Sequence, residues 1–214
     1  MKKLLILLLT VSLLSFGALP ASALPIAYQL TGTLSGDYNG TPFTDSAFTL
    51  QVAADTSDVV AVNWFDTNDI YGVGNYPPVF GGPDLGGFLD ISGVGTFAFA
   101  NRLWVLAAQA NSPNAGMFGI GTDMEDIFLT VVNPFFETYH LVTAVGAMPV
   151  SFELTGFVPF SVSESGGTSG YLTLGGASSL TFQADGGVPE PSTIVLLGAG
   201  LAGLILVRRK ARAK

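Results

Sequence analysis

Residues 28–34 read Tyr28-Gln29-Leu30-Thr31-Gly32-Thr33-Leu34, in which apolar or small residues alternate with polar ones. Successive side chains of a β-strand point to opposite faces, so this spacing directs one face toward a core and the other toward water. The same alternation recurs in further segments, namely 48–54, 60–64, 97–100, 127–132 and 180–185. The pattern predicts half-buried β-strands along most of the chain.

Residues that favour turns separate these segments. Asn39-Gly40 suits a tight hairpin turn with positive φ. Further breaks are predicted where glycine, asparagine and proline cluster, at 81–83, 111–113, 166–167 and 175–176. Residues 71–87 show little periodicity and predict a long exposed loop. Residues 102–110 are compatible with either a short helix or a returning strand.

Helical spacing is confined to the two ends of the chain. Many short strands with frequent turns therefore predict an all-β fold, an antiparallel two-layer β-sandwich of jelly-roll-like type. We assign this fold to residues 24–185, flanked by an N-terminal signal helix in residues 1–23 and a short C-terminal transmembrane helix.

The N-terminal segment has the pattern of a secretory signal peptide. Two lysines precede an apolar run, and Ala21-Ser22-Ala23 supplies the small residues that signal peptidase accepts. We expect cleavage after Ala23, which makes Leu24 the new N-terminus. The chain is then exported across the inner membrane. A retained N-terminal anchor is the alternative.

The C-terminal segment, residues 186–214, contains three parts in a fixed order. A linker leads to Val188-Pro189-Glu190-Pro191, and an apolar stretch follows at 192–207. A basic cluster then closes the chain at 208–214, with Arg208, Arg209, Lys210 and Arg212. The strictly apolar part, residues 194–207, would span about 21 Å as a helix, against a hydrocarbon core of about 30 Å. The basic cluster predicts a cytoplasmic end and an ectodomain outside.

This arrangement resembles the PEP-CTERM sorting signal. The resemblance implies recognition by exosortase, a membrane transpeptidase that cuts near the Pro-Glu-Pro motif, so the membrane helix would be a transient anchor. It also implies a surface or extracellular-matrix protein of an exopolysaccharide-producing bacterium, with a role in a biofilm or floc matrix and exopolysaccharide as a candidate partner. The ectodomain itself resembles no family that we recognise.

The ectodomain is strongly acidic and lacks cysteine. Residues 24–187 contain 15 acidic residues and one basic residue, Arg102, which gives a formal charge of −14. Such a surface repels phosphate backbones, so nucleic-acid binding is excluded. The absence of cysteine excludes disulfides, thiolate metal sites and cysteine nucleophiles.

Candidate catalytic groups are few. His140 is the only histidine, predicted on a strand, and Ser151 or Ser161 would have to serve as its nucleophile in an esterase. Glu137 and Glu153, predicted on flanking strands, are the carboxylate pair that a glycosidase would need. Both enzyme classes remain alternatives to a non-enzymatic protein.

Acidic clusters and aromatic residues suggest binding sites. The cluster of Asp123, Glu125 and Asp126 is the best candidate for Ca²⁺, ahead of the pairs 55/58 and 66/69, although aspartates also form ordinary turns. Stacking on sugar rings could use aromatic residues, of which the candidates are Trp64, Tyr71, Tyr76 and Trp104. Our preferred expectation is a non-enzymatic structural or interaction protein without a cofactor, and a carbohydrate-binding β-sandwich is the first alternative.

Overall fold

The computed structural model describes residues 24–62, 70–76, 80–99, 103–110, 115–122, 126–153, 160–164 and 169–186. These ranges contain strands and two short 3-10 helices, at Thr56–Asp58 and Pro134–Thr138, but no α-helix. The strands are β1 (Pro25–Tyr38), β2 (Thr41–Asp55), β3 (Val60–Val62), β4 (Ile70–Tyr76), β5 (Phe80–Gly81), β6 (Gly86–Ile91), β7 (Gly95–Ala98), β8 (Leu103–Ala108), β9 (Met117–Thr122), β10 (Asp126–Val132), β11 (Val145–Pro149), β12 (Ser151–Glu153), β13 (Phe160–Glu164) and β14 (Ser169–Gly186).

The predicted signal helix and transmembrane helix both lie outside the described residues. Among the residues that are described, no helix has the length and apolar character needed to cross a bilayer.

The strands form two antiparallel sheets, which confirms the predicted all-β class. The first sheet has the order β1, β2, β6, β7, β13, β14, β11, and the second has the order β12, β10, β9, β8, β4, β3, with β5 paired to β4. Because β1 also pairs with β14, the first sheet closes on itself. The closed path of paired strands is β1, β2, β6, β7, β13 and β14.

Three long strands, β1, β2 and β14, make this closure possible. β1 pairs with β14 from Ile26 to Tyr38, with shifts of register between Thr31 and Thr33 and between Ser35 and Gly36. Such bulges bend a strand and increase its twist. The long strands can therefore pair with β6 and β11 near one end and with β13 near the other.

One hydrophobic core joins the two sheets. Tyr28 of β1 and Phe182 of β14 both contact Phe118 of β9, with ring centroids 5.9 and 4.6 Å apart. The alternation read from the sequence is confirmed here, because Tyr28, Leu30 and Leu34 are buried and the residues between them are only partly covered. Removal of these apolar side chains from water is the main term that stabilises the fold.

The second sheet is most deeply buried at its centre. Every residue of β8 and β9 is buried. A strand that is covered on both faces has no alternation of apolar and polar residues. This explains why residues 102–110 could not be assigned from periodicity; the strand alternative was correct and the helix was not.

The predicted exposed loop at residues 71–87 is wrong for most of its described residues, which belong to strands; residues 82–84 do form a non-strand connection, in which Pro83 and Asp84 are exposed. Residues 71–76 belong to β4, in which Gly72, Val73 and Gly74 are buried. Residues 86 and 87 are the first two residues of β6. Gly74 has φ +108°, and a Cβ there would lie 2.5 Å from the carbonyl oxygen of Leu103. Glycine is needed for this close approach of two backbones, and its presence hid the strand from a hydrophobicity pattern.

The turn predictions had mixed outcomes. Asn39 and Gly40 form the predicted turn with positive φ, and the Gly40 amide donates to Asp37 Oδ1 at 2.6 Å. The predicted break at Gly175-Gly176 is wrong, because β14 continues through it.

Candidate functional site

His140, the only histidine of the sequence, lies just after the second 3-10 helix; we call residues 133–143, which include this helix and the segment after it, the histidine corner. Asn133 caps this helix, since its Oδ1 accepts from the Phe135 amide at 2.9 Å and its Nδ2 donates to the Pro149 carbonyl at 3.0 Å. The predicted strand here is wrong, because Glu137 lies in the helix and His140 in the irregular segment that follows. Asn133-Pro134 favours turn initiation over an extended strand.

Buried polar side chains fix this corner. Gln109 Nε2 donates to the carbonyls of Phe136 at 3.2 Å and Tyr139 at 2.8 Å. The Tyr28 hydroxyl donates to the Leu141 carbonyl at 2.6 Å, and the Tyr139 hydroxyl donates to Thr143 at 2.9 Å. The Phe136 carbonyl also accepts from the Tyr139 amide at 3.3 Å, so the side-chain donors matter most for the carbonyls of Tyr139, Leu141 and Thr143.

The two tyrosines of this corner act as neutral donors. Burial raises the pKa of the Tyr28 hydroxyl above its usual value, and the nearby Tyr139 raises it further. Burial likewise raises the pKa of the Tyr139 hydroxyl. Both hydroxyls therefore stay neutral to a higher pH than an exposed tyrosine would, because burial disfavours the charged form.

His140 itself is exposed and contacts Tyr71. The two rings lie with centroids 4.4 Å apart and an interplanar angle of 38°. Tyr71, proposed from the sequence as a stacking residue in a loop, is instead a half-buried residue of β4 that packs against the core.

A shallow cleft beside the corner contains two of the candidate catalytic residues. It has a volume of about 230 Å³ and is lined by Ala115, Gly116, Val132, Asn133, Pro134, Glu137 and Ser151. His140 and Glu153 are not among the lining residues. The cleft thus brings a carboxylate near a serine but does not include the histidine that a serine nucleophile would require.

The predicted pair of carboxylates is split between different elements. Glu153 lies on β12 opposite Thr130 of β10, whereas Glu137 is in the 3-10 helix. The side chain of Ser161, the other serine considered, lies outside the described residues.

The candidate Ca²⁺ ligands are largely outside the described part of the chain. Asp123 and Glu125 are not described, and Asp126 is described only as the first backbone position of β10. Among the described residues, no group of three histidine, aspartate or glutamate side chains is arranged to hold a metal ion. Asp55 has the alternative role of a turn former, because its Oδ1 accepts from the amide and hydroxyl of Ser57.

The aromatic candidates do not form a binding surface among the described residues. Trp104 is fully buried, and Trp64 and the side chain of Tyr76 lie outside the described residues. Three exposed aromatic residues in the described part of the chain were not predicted as binding residues: Phe88 is 38% exposed, Phe135 36% and Tyr171 65%. Phe88 could have been identified, since Leu89 and Ile91 point inward and alternation then turns Phe88 outward.

The sorting residues 188–191, the apolar stretch 192–207 and the basic cluster 208–214 lie outside the described residues, as do Ala21 and Ala23. Leu24, the predicted first residue of the processed chain, is exposed, and its amide donates to Thr56 Oγ1 at 3.2 Å.

Comparison with known proteins gives one match. No curated protein and no solved structure matches this chain. A family model described as the PEP-CTERM protein-sorting motif matches residues 187–210, which begin directly after the last strand. Residues 187–210 of this chain are therefore a PEP-CTERM protein-sorting motif.

Proposed function

We propose that this chain is an exported protein of an exopolysaccharide-producing bacterium that exosortase processes at its C-terminus and delivers to the cell surface or extracellular matrix. The match of residues 187–210 to the sorting motif carries the proposal. The position of the motif also supports the proposal, because the motif begins directly after β14, the last described strand.

The proposed route begins with removal of residues 1–23 by signal peptidase. The apolar stretch 192–207 then holds the chain in the inner membrane, with the basic cluster on the cytoplasmic side and the ectodomain outside. Exosortase cuts near Val188-Pro189-Glu190-Pro191, so this anchor is transient. A short helix suits this purpose, since about 21 Å of strictly apolar length leaves a 30 Å hydrocarbon core only partly spanned.

We further propose a structural or interaction role in the matrix without catalysis or a cofactor. Two observations support this: His140, the only histidine, is not among the residues that line the cleft containing Ser151, and its ring contacts Tyr71 instead. A glycosidase or esterase remains the weaker alternative. We retain Asp123, Glu125 and Asp126 as a candidate Ca²⁺ site, and the jelly-roll-like sandwich as the proposed form of the two sheets.

The sorting step can be tested in the native host. Alanine replaces all three motif residues in one variant (Pro189→Ala, Glu190→Ala, Pro191→Ala), and a control variant carries Ser192→Ala and Thr193→Ala. Immunoblots of membrane and extracellular fractions should show that the motif variant stays in the membrane at full length. The control should be shortened and released like the native chain. A motif variant that is processed and distributed like the native chain contradicts the proposal.

A further inference from the structure

The outer face of the first sheet carries a row of amide side chains. Gln183, Gln29 and Gln51 lie directly opposite one another on the adjacent strands β14, β1 and β2. Phe88 of β6 lies opposite Gln51 and extends the row to a fourth strand. We call these four residues the glutamine row. They include three of the four glutamines in the whole sequence.

A second row runs parallel to the first, two residues further along each strand. It consists of Thr181, Thr31, Thr49 and Asp90 on the same four strands, and we call it the threonine row. The core side chains of these strands point the other way. The two rows therefore form one continuous outer face, which we call the amide face.

The polar groups at the centre of the amide face are available to a ligand. Gln29 and Gln51 are half-buried, and among the described residues their side-chain amides have no hydrogen-bond partner. Gln109, the fourth glutamine, is different, because it is buried and its amide nitrogen donates to two carbonyls. At the edges of the face, Gln183 donates to Asp185 at 2.7 Å, and Thr96 donates to Asp90.

The charge of the amide face differs from that of the rest of the domain. Residues 24–187 have 15 acidic residues against one basic residue, yet the glutamine row has none, and Asp90 is the only one in the threonine row. An anionic polymer would be repelled by the domain as a whole. An uncharged partner that offers hydroxyl groups matches the face, because amides both donate and accept hydrogen bonds.

We propose that the amide face binds an extended, neutral glycan chain that lies across the strands. Adjacent strands are about 4.8 Å apart, which is close to the length of one sugar unit in an extended glycan, so neighbouring amides can contact neighbouring sugars. The exposed ring of Phe88 supplies a stacking surface at the end of the glutamine row. The inference deepens the proposed matrix role and rests on export to the surface, where such polymers occur.

Affinity electrophoresis of the full-length chain in a mild detergent tests this. Native gels contain one of three neutral soluble glucans (hydroxyethylcellulose, laminarin or dextran) or the anionic polymer alginate. We expect at least one neutral glucan to retard the chain and alginate to leave it unretarded. Gln51→Leu, which removes the amide and leaves a side chain of similar size, and Phe88→Ala should each raise the apparent dissociation constant for the glucan tenfold or more. Phe135→Ala removes a similarly exposed ring from the 3-10 helix and should bind as the native chain does.

Three results would overturn the inference: no retardation by any neutral glucan, equal loss in Phe88→Ala and Phe135→Ala, or retardation by alginate alone. Light scattering of the same samples adds a fourth. If Gln51→Leu abolishes a dimer and leaves glucan binding unchanged, the face joins two copies of the chain instead. Because the assay needs no processing enzyme, its failure would leave the sorting proposal standing, and failure of sorting would leave glucan binding intact.

Discussion

Replacing Tyr28 with phenylalanine removes the hydroxyl that holds the histidine corner to the core. The Tyr28 hydroxyl is buried and donates to the Leu141 carbonyl at 2.6 Å. Leu141 is itself buried with φ +62°, a backbone conformation that costs a non-glycine residue about 1–2 kcal/mol. The hydrogen bond is thus one of the contacts that keeps Leu141 in an unfavourable conformation.

The expected loss of stability follows from the burial of both partners. A typical hydrogen bond contributes about 1 kcal/mol net, whereas an acceptor left buried and unsatisfied costs about 1–3 kcal/mol. We therefore expect Tyr28→Phe to lower the free energy of unfolding by about 1–3 kcal/mol. For a domain of this size the melting temperature should fall by about 2–12 °C.

Urea unfolding followed by tryptophan fluorescence measures this change, with Tyr171→Phe as the control. The Tyr171 side chain is 65% exposed, so its variant should lie within about 0.5 kcal/mol of the native chain. If Tyr28→Phe is as stable as Tyr171→Phe, the hydrogen bond to Leu141 does not stabilise the corner and our explanation of it is wrong.

Three further predictions concern the same core and its backbone contacts. Because the folded-state pKa of Tyr28 lies above its unfolded value of about 10, its share of the stability is complete below pH 10 and is lost as pH rises, by about 1.4 kcal/mol per pH unit. Urea unfolding between pH 9 and 11 should therefore show a shallower decline for Tyr28→Phe, and equal slopes would contradict the assignment. Gln109→Leu leaves the Tyr139 carbonyl without its donor and removes one of the two donors to the Phe136 carbonyl. It should therefore cost about 1–3 kcal/mol in the same titration, whereas a loss below about 0.5 kcal/mol would mean that water replaces the amide. Gly74→Ala should lower the free energy of unfolding by at least about 3 kcal/mol, because the new Cβ would meet the Leu103 carbonyl. Gly81→Ala, where a Cβ would enter open space, should change it by less than about 1 kcal/mol. Similar losses for both variants would argue against the close approach at Gly74.

The parts of the fold that could be predicted are those with one covered face. In β1 and β14 the alternation of apolar and polar residues follows directly from a core on one side and water on the other. In β8 both faces are buried, so periodicity could not distinguish a strand from a helix. In β4, Gly74 occupies a position where two backbones approach closely, so a buried strand had the composition of a loop.

Closure of the first sheet could not be predicted either. It depends on which strands pair and where β1 bends, and these long-range choices leave no local pattern in the sequence. The outward direction of Gln29, Gln51 and Gln183 could have been predicted, because each alternates with core residues in its strand. Their alignment into one row required the register, which only the structure supplies.

For the candidate catalytic residues, the sequence identified the residue types but not their positions in the fold. Composition pointed to His140, Ser151 and Glu137 as catalytic candidates, but the sequence did not reveal that Glu137 lies in a 3-10 helix and His140 in the segment after it. Sequence separation gave no indication that Tyr71 would contact His140, because that contact depends on the packing of β4.

The most direct test of the proposed sorting is the intact mass of the chain recovered from its host, with and without the processing enzyme. We predict that the enzyme-containing strain yields a species that begins at Leu24 and ends near residues 188–191. The strain without the enzyme should yield a species that begins at Leu24 and still ends at Lys214. Recovery of a chain that ends at Lys214 from both strains would contradict the proposal that exosortase processes this motif.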